Sequence, residues 1–268
     1  MDPHLVAVVV GIIQGVFEWL PVSSEGNVAI ALTALGTAPS VAVSYALFVH
    51  LGTALSATAY YRDEVRTALA SWPDLGPSSA FDGETATLSF VVVATAASSV
   101  VGLVALLSLD ALVTELTGGA FVALIGALLV ATGVLQRVAD AYTLATRSAP
   151  DAVDALLVGG LQGLAILPGV SRSGTTTSAL LLRGHDGPAS FRLSFLLSIP
   201  AAVIGGVVGV VRAGGVGVSV TAGLVALVVA GVVGYATIGL LMRVVHRVAV
   251  WRLCVGLGLL AIAGGLLV

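Results

Sequence analysis

The chain has 268 residues, 58% of them hydrophobic and only 9% charged, with a formal net charge of −3 and a mean hydropathy of +1.10. A soluble core of this size does not use so much apolar residue, so the solvent is lipid and the chain is polytopic. No nucleic-acid partner is expected, and the single cysteine, Cys254, excludes an intramolecular disulfide and a cysteine-based metal cluster.

No polar stretch is long enough to fold separately, so residues 1–268 are expected to form one membrane domain. The N-terminus has no basic region ahead of its first apolar run, which argues against a cleavable signal peptide. That run, about 5–35, is broken midway by "LPVSSEG" at 20–26. The helix before the break has about 16 residues, roughly 24 Å at 1.5 Å each, and is too short to cross. Ordinary spans follow at 41–60, 86–108 and 119–136. The polar stretch 61–85 reads as a solvated loop, and Asp110 and Glu115 mark a short external loop. A second broken segment, 152–183, carries "LPGVSRSG" at 167–174, and three more spans fit 192–212, 219–242 and 252–267. Irregular backbone at membrane depth is tolerated only against protein or a wet cavity. The predicted architecture is therefore all-α, with six transmembrane helices plus two re-entrant helical hairpins.

The two broken segments resemble one another. "GIIQGVFEWLPVSSEG" at 11–26 and "GGLQGLAILPGVSRSG" at 159–174 share Gly11/Gly159, Gln14/Gln162, Gly15/Gly163, Ser23/Ser171 and Gly26/Gly174 at a constant offset of 148. This is an internal repeat, about 5–136 and 152–267. If each hairpin returns to its own side, one face collects Arg62, Arg66, Arg137, Arg147, Arg183, Arg192, Arg243, Arg247 and Arg252, and the other only Arg212. The positive-inside rule makes the arginine-rich face cytoplasmic, both termini external and the repeats inverted. Inverted repeats with broken helices meet at a midplane site formed by the breaks.

Arg172 lies at that meeting point. An arginine at membrane depth costs about 2.5–3.5 kcal/mol or more unless paired or hydrated. One reading is a purely structural tie to a carboxylate on the other hairpin. The neighbours point further: Ser171, Ser173, Thr175, Thr176 and Thr177 supply hydroxyls, and Gly174 lets a ligand approach the start of a half-helix. Free N–H groups there, with the arginine fork, make a phosphate cradle. In the first segment Gln14 and Glu18, four apart, share a helix face, and Ser23, Ser24, Glu25 and Asn27 follow at the turn. A carboxylate beside hydroxyls can deprotonate a nucleophile or hold a divalent cation. Gln14 serves equally as a helix–helix hydrogen bond, and Glu25 reads as a group in a wet vestibule. His50 sits mid-span, either pointing into the site as a proton-transfer group or bonded to a backbone carbonyl. The Gly11/Gly15 and Gly159/Gly163 pairs fit close helix packing. His4, His185 and His246 read as solvated, and Trp19, Trp72 and Trp251 as interfacial or packing residues.

Taken together, "QGVFEWLPVSSEGN" and "LPGVSRSGTTTS", in this order and separation, resemble the undecaprenyl-pyrophosphate phosphatase family of integral membrane enzymes. The resemblance implies a plasma-membrane phosphatase that converts a polyprenyl diphosphate lipid to the monophosphate carrier used in envelope glycan assembly, supported by a divalent cation, Mg2+ or Ca2+. By motif, Glu18 and Gln14 match the two positions of an E/Q-x-x-x-E pattern, with Glu18 the expected metal ligand. Ser23 and Ser24 match a serine pair that includes the nucleophile, and Arg172 a phosphate-binding arginine. Gln14, Asn27, Ser171, Ser173, Gly174, Thr175 and Thr176 are the expected substrate contacts. Two departures stand out: Gln14 replaces a glutamate, and Asn27 a histidine, which leaves His50 as the candidate substitute. A homodimer is left open. The alternative from another class is a phospho-lipid flippase or small-anion transporter, because inverted repeats with a midplane site are also transporter architecture.

Overall fold

Apolar runs of span length form helices throughout a computed structural model, which describes residues 2–76, 78–116, 118–141, 146–212, 219–245 and 249–267. Six helices are long and apolar enough to cross a bilayer. In chain order they are α3 (Pro39–Tyr60), α5 (Thr85–Glu115), α6 (Gly118–Ala141), α9 (Gly187–Arg212), α10 (Val220–Val245) and α11 (Val250–Leu267). The two broken segments give pairs of short helices, α1 (Pro3–Phe17) with α2 (Ser24–Ala34), and α7 (Ala152–Leu164) with α8 (Arg172–Leu182).

Two expectations are corrected. The stretch 61–85 is not simply loop: α4 (Arg62–Ala70) and a single 3-10 turn (Trp72–Asp74) occupy most of its first half. Asp63 and Glu64 fall in the first turn of α4, where the helix dipole favours negative charge. Asp110 and Glu115 mark no loop, because α5 continues through both. His246 and Arg247 lie outside the described residues.

Small residues set the packing, as expected where lipid removes the hydrophobic drive between helices. Along α1, a Cβ on Gly11 would stand 2.8 Å from the Ala226 carbonyl, and one on Gly15 2.8 Å from the Gly234 amide. Along α7, a Cβ on Gly159 would stand 2.4 Å from the Ala94 carbonyl, and one on Gly163 2.8 Å from the Gly102 amide. The repeated glycines thus seat α1 on α10 and α7 on α5, so the first helix of each broken pair packs on a span from the other half. The remaining long helices pair as α3 on α9 and α6 on α11. Trp19 is a packing residue: it is fully buried and its Nε1–H donates to the Gly234 carbonyl at 3.0 Å.

His185 is also corrected. It is fully buried, with Nε2 3.0 Å from the Asp154 carboxylate, which Arg183 also engages. Arg147 and Arg183 share Asp151, the N-cap of α7, whose side chain accepts from the Asp154 amide in a capping box. Burial pushes the Asp151 carboxyl up, but the Asp154 N–H bond and the Arg147 guanidinium outweigh it and hold the group below the usual carboxylate range. This network fastens the start of α7 to the end of α8, which fixes the second broken pair at its open end.

Candidate active site

Each break is shaped by residues that the helix cannot continue through. Helix α1 stops at Glu18, and the chain turns through Leu20, Pro21 and Val22 before α2 begins. Ser23, the N-cap of α2, has φ +57°, an uncommon conformation for a residue with a Cβ and one that clusters at functional sites. In the second break Gly169 has φ +104°, and a Cβ there would stand 2.4 Å from the Ile125 carbonyl, so only glycine fits. The breaks face each other: a Cβ on Gly26 would stand 2.8 Å from the Gly169 amide.

Hydrogen bonds cross between them. The Ser23 hydroxyl accepts from the Gly26 amide at the start of α2 and from the Gly169 amide of the other break, both at 3.2 Å. The Ser173 hydroxyl donates to the Leu20 carbonyl at 3.2 Å. From outside, the Gln136 amide on α6 donates to the Pro21 carbonyl at 2.6 Å, and the Ser171 N–H donates to Thr132 at 3.3 Å. A helix that neither break predicts from sequence therefore holds both.

Glu18 is the hub. It is 5% exposed, and one carboxylate oxygen accepts from Ser24 Oγ at 2.7 Å and from Gln14 Nε2 at 2.9 Å. The other oxygen meets the Arg172 guanidinium, so the two broken segments are joined by a buried ion pair. Arg172 opens α8 and also reaches the Ser194 carbonyl at 3.4 Å, with its guanidinium 5.9 Å from the centre of the Phe195 ring. Phe195 thus walls the plane of the fork, a contact the arginine's own neighbourhood in sequence does not disclose.

His50 points into the site and also bonds a backbone carbonyl. Nδ1 lies 2.8 Å from the Ala46 carbonyl, which only accepts, so this nitrogen carries a proton. Nε2 lies 3.4 Å from Glu18 and donates to it only when the ring is an imidazolium. Asn27, by contrast, turns its amide back onto the Val22 and Ser23 carbonyls at 3.0 and 2.8 Å and braces the turn.

A small polar pocket of 30 Å³ lies between the breaks, lined by Glu18, Ser23, Ser24, Glu25, His50, Ser171, Arg172 and Ser173 among others. It shares Glu18, Glu25, His50 and Arg172 with a larger, mostly apolar chamber of 310 Å³ walled by α3, α5, α7 and α9. Thr175 and Thr176 do not line either space: their hydroxyls donate to carbonyls of the preceding turn, and Thr176 shares a 2.6 Å bond with Ser194. Gly174 donates its N–H to Ser171 Oγ, and Gln14, fully buried, stands behind Glu18. Glu25 lies where the vestibule reading put it, in the lining of both spaces. It is 5% exposed, faces both spaces, and keeps one carboxylate oxygen without a hydrogen-bond partner.

A carboxylate, a hydroxyl bonded to it, a guanidinium and an imidazole within one polar pocket can hold a phosphate and move a proton beside it. The contiguous apolar chamber suits a ligand with a long hydrocarbon part. Comparison with known proteins agrees with that chemistry. The family described as bacitracin resistance protein BacA matches residues 7–261. An undecaprenyl-diphosphatase of Haloarcula marismortui is 56% identical over 269 residues, covering 100% of this chain and 99% of the relative. One from Methanococcoides burtonii is 40% identical, covering 96% of each chain, and one from Acidothermus cellulolyticus is 34% identical, covering 89% and 87%. By this match along nearly its whole length, the chain belongs to the bacitracin resistance protein BacA family.

Proposed function

We propose that the chain removes the terminal phosphate of a polyprenyl diphosphate, releasing the lipid monophosphate and inorganic phosphate. The observation that carries this is the join between a small polar pocket holding Arg172, Glu18 and Ser24 and an apolar chamber, which together match a charged head and a hydrocarbon tail. The names of the relatives point to the same reaction. Turnover in detergent micelles tests it, because a micelle offers no second face to transport to. Formation of monophosphate and phosphate marks hydrolysis; saturable binding with no product marks the flippase or anion transporter that shares this architecture.

Before substrate arrives, Glu18 occupies the Arg172 fork. An incoming terminal phosphate takes that fork, since arginine pairs with phosphate oxygens as it does with carboxylate. Glu18 is then free to take the proton of Ser24, already 2.7 Å away. Ser24 Oγ attacks the terminal phosphorus, the bridging P–O bond breaks, and the lipid monophosphate leaves. Water then attacks the phosphoserine, and the serine recovers its proton as phosphate departs. Ser23 holds the two breaks in register, Gln14 orients Glu18, and Ser171 and Ser173 border the phosphate.

Among the described residues no three His, Cys, Asp or Glu side chains gather as a ligand set for a metal. The residues nonetheless fit the lighter demand of magnesium, which takes one or two carboxylates and completes its shell with water and substrate phosphate oxygens. Glu25, with its bare oxygen, and Glu18 would hold such a cation, which when bound with substrate screens the diphosphate charge.

His50 takes the proton-transfer place that Asn27 does not fill. His50→Gln is expected to lower kcat by about 10²-fold, the usual contribution of a positioned acid or base. Asn27→Ala, which loses only a brace, has the smaller effect. A His50→Gln enzyme with full activity leaves Glu18 as the sole proton carrier.

The nine-to-one division of loop arginines supports external termini in the cytoplasmic membrane and repeats of opposite orientation. In a Cys254→Ser background, Asp2→Cys should react with an impermeant thiol reagent in intact cells, while Asp63→Cys, on the arginine-rich face, should react only after lysis. The reverse pattern inverts the topology.

A further inference from the structure

The two broken segments repeat a glutamine that does different work in each. Gln14 on α1 and Gln162 on α7 stand at the repeat offset of 148, and both are buried. Gln14 gives its amide N–H groups to Glu18 at 2.9 Å and to Thr53 at 3.3 Å. At the same offset Ile166 takes the place of Glu18, so Gln162 has no carboxylate one turn on to orient. Its amide instead donates to the Ser98 hydroxyl on α5 at 3.2 Å, and its carbonyl oxygen is buried without a hydrogen-bond partner. Gln14 leaves its own oxygen bare too, but it borders neither space, whereas Gln162 and Ser98 line the 310 Å³ chamber. A buried polar group left bare beside a cavity calls for a ligand or water as its partner.

Gln162 stands where the polar pocket gives way to the chamber. Ala165, three residues on at the C-cap of α7, lines both spaces, and positions three apart on a helix are neighbours. Backbone contact fixes the place: a Cβ on Gly163 would stand 2.8 Å from the Ser98 carbonyl. Ser98 can serve either end of the carboxamide, since a hydroxyl both accepts and donates. Turned over, Gln162 keeps Ser98 through its oxygen and presents N–H to the chamber. Nothing is orphaned by the turn, because the Thr95 carbonyl that Ser98 leaves also accepts from the Ser99 hydroxyl at 2.8 Å.

A diphosphate has one phosphate that leaves and one that stays on the lipid, and the Arg172 fork accounts for the first. Resting on the phosphatase reading, we propose that the Gln162 amide, held by Ser98, binds the phosphate that stays on the lipid. Its N–H turns toward that phosphate when substrate arrives and keeps hold of the same group in the monophosphate product. Arg172 supplies the charge and Gln162 the direction.

The two products report on the two places separately. Gln162→Met keeps the length of the side chain and removes its hydrogen bonds. It is expected to weaken inhibition by the lipid monophosphate about tenfold, the contribution of one hydrogen bond to a charged group. Inhibition by inorganic phosphate, which sits on Arg172, should stay unchanged. A second measurement uses the unmodified chain: the lipid monophosphate and inorganic phosphate should inhibit together, each binding while the other is bound. Mutually exclusive inhibition puts the lipid phosphate on Arg172 and overturns the subsite. So does a Gln162→Met chain that binds the lipid monophosphate as wild type does, or that loses both products equally. These outcomes leave the phosphatase reading intact. A wild-type chain that hydrolyses no polyprenyl diphosphate overturns that reading, and the subsite with it.

Discussion

Arg172→Lys is expected to lose nearly as much turnover as Arg172→Ala, roughly 10²–10³-fold in kcat, although lysine keeps the charge. The reason is geometric. The guanidinium bridges the Glu18 carboxylate and the Ser194 carbonyl while lying near the Phe195 ring, and a planar fork does this where a single ammonium cannot. The lysine variant also separates catalysis from folding. Removing the arginine leaves Glu18 buried and unpaired, which for buried pairs costs about 3–5 kcal/mol. Lysine still neutralises Glu18, so its melting temperature should stay closer to wild type than that of the alanine variant. A folded lysine variant with near-normal turnover would reduce Arg172 to a generic positive charge.

The second large effect belongs to Ser24. Its hydroxyl already donates to Glu18, the arrangement a weak nucleophile needs before attack. Ser24→Ala should lower kcat by about 10³-fold or more, within the range that general-base catalysis alone contributes. It should also abolish a phosphoenzyme trapped by rapid acid quench of the wild type. Ser23→Ala should retain the phosphoenzyme at reduced rate, because the Ser23 hydroxyl accepts two amides and holds the breaks together instead of facing Glu18. An active Ser24→Ala enzyme would make water the direct nucleophile.

Much of this was legible in the sequence because lipid imposes simple rules. About 20 apolar residues are needed to cross, and the six long helices fall where such runs occur. The breaks announced themselves by proline and glycine in a hydrophobic context, and the repeat by its fixed offset. The repeated glycines pointed to helix contacts but not to which helices; the seating of α1 on α10 is a tertiary fact. Helix α4 was hidden because its nine residues are largely polar, and polarity reads as loop when only hydropathy is followed. The end of α5 was misread for the same reason, since Asp110 and Glu115 looked like a boundary.

Within the site, Glu18 and Arg172 could be paired across 154 positions because an arginine at membrane depth demands a carboxylate. His185 could not be placed that way. Its partner Asp154 lies 31 residues upstream at the head of α7, and nothing local marks either as buried. Glu25 reads from its place at the turn as a group in a wet vestibule, and it does line both spaces; that one of its oxygens has no hydrogen-bond partner was not legible in the sequence. Gln136 and Phe195 carry no motif at all. They matter only because α6 and α9 bring them to the breaks.

The central claim is that the two breaks act together on the terminal phosphorus of a polyprenyl diphosphate. Hydrolysis of that lipid by the purified chain in heavy-oxygen water tests it most directly, with the products separated and weighed by mass spectrometry. Attack at the terminal phosphorus, by serine then water or by water alone, places the heavy oxygen in inorganic phosphate and none in the lipid monophosphate. Heavy oxygen in the lipid product, or release of intact diphosphate with a labelled prenyl alcohol, would contradict the site as described.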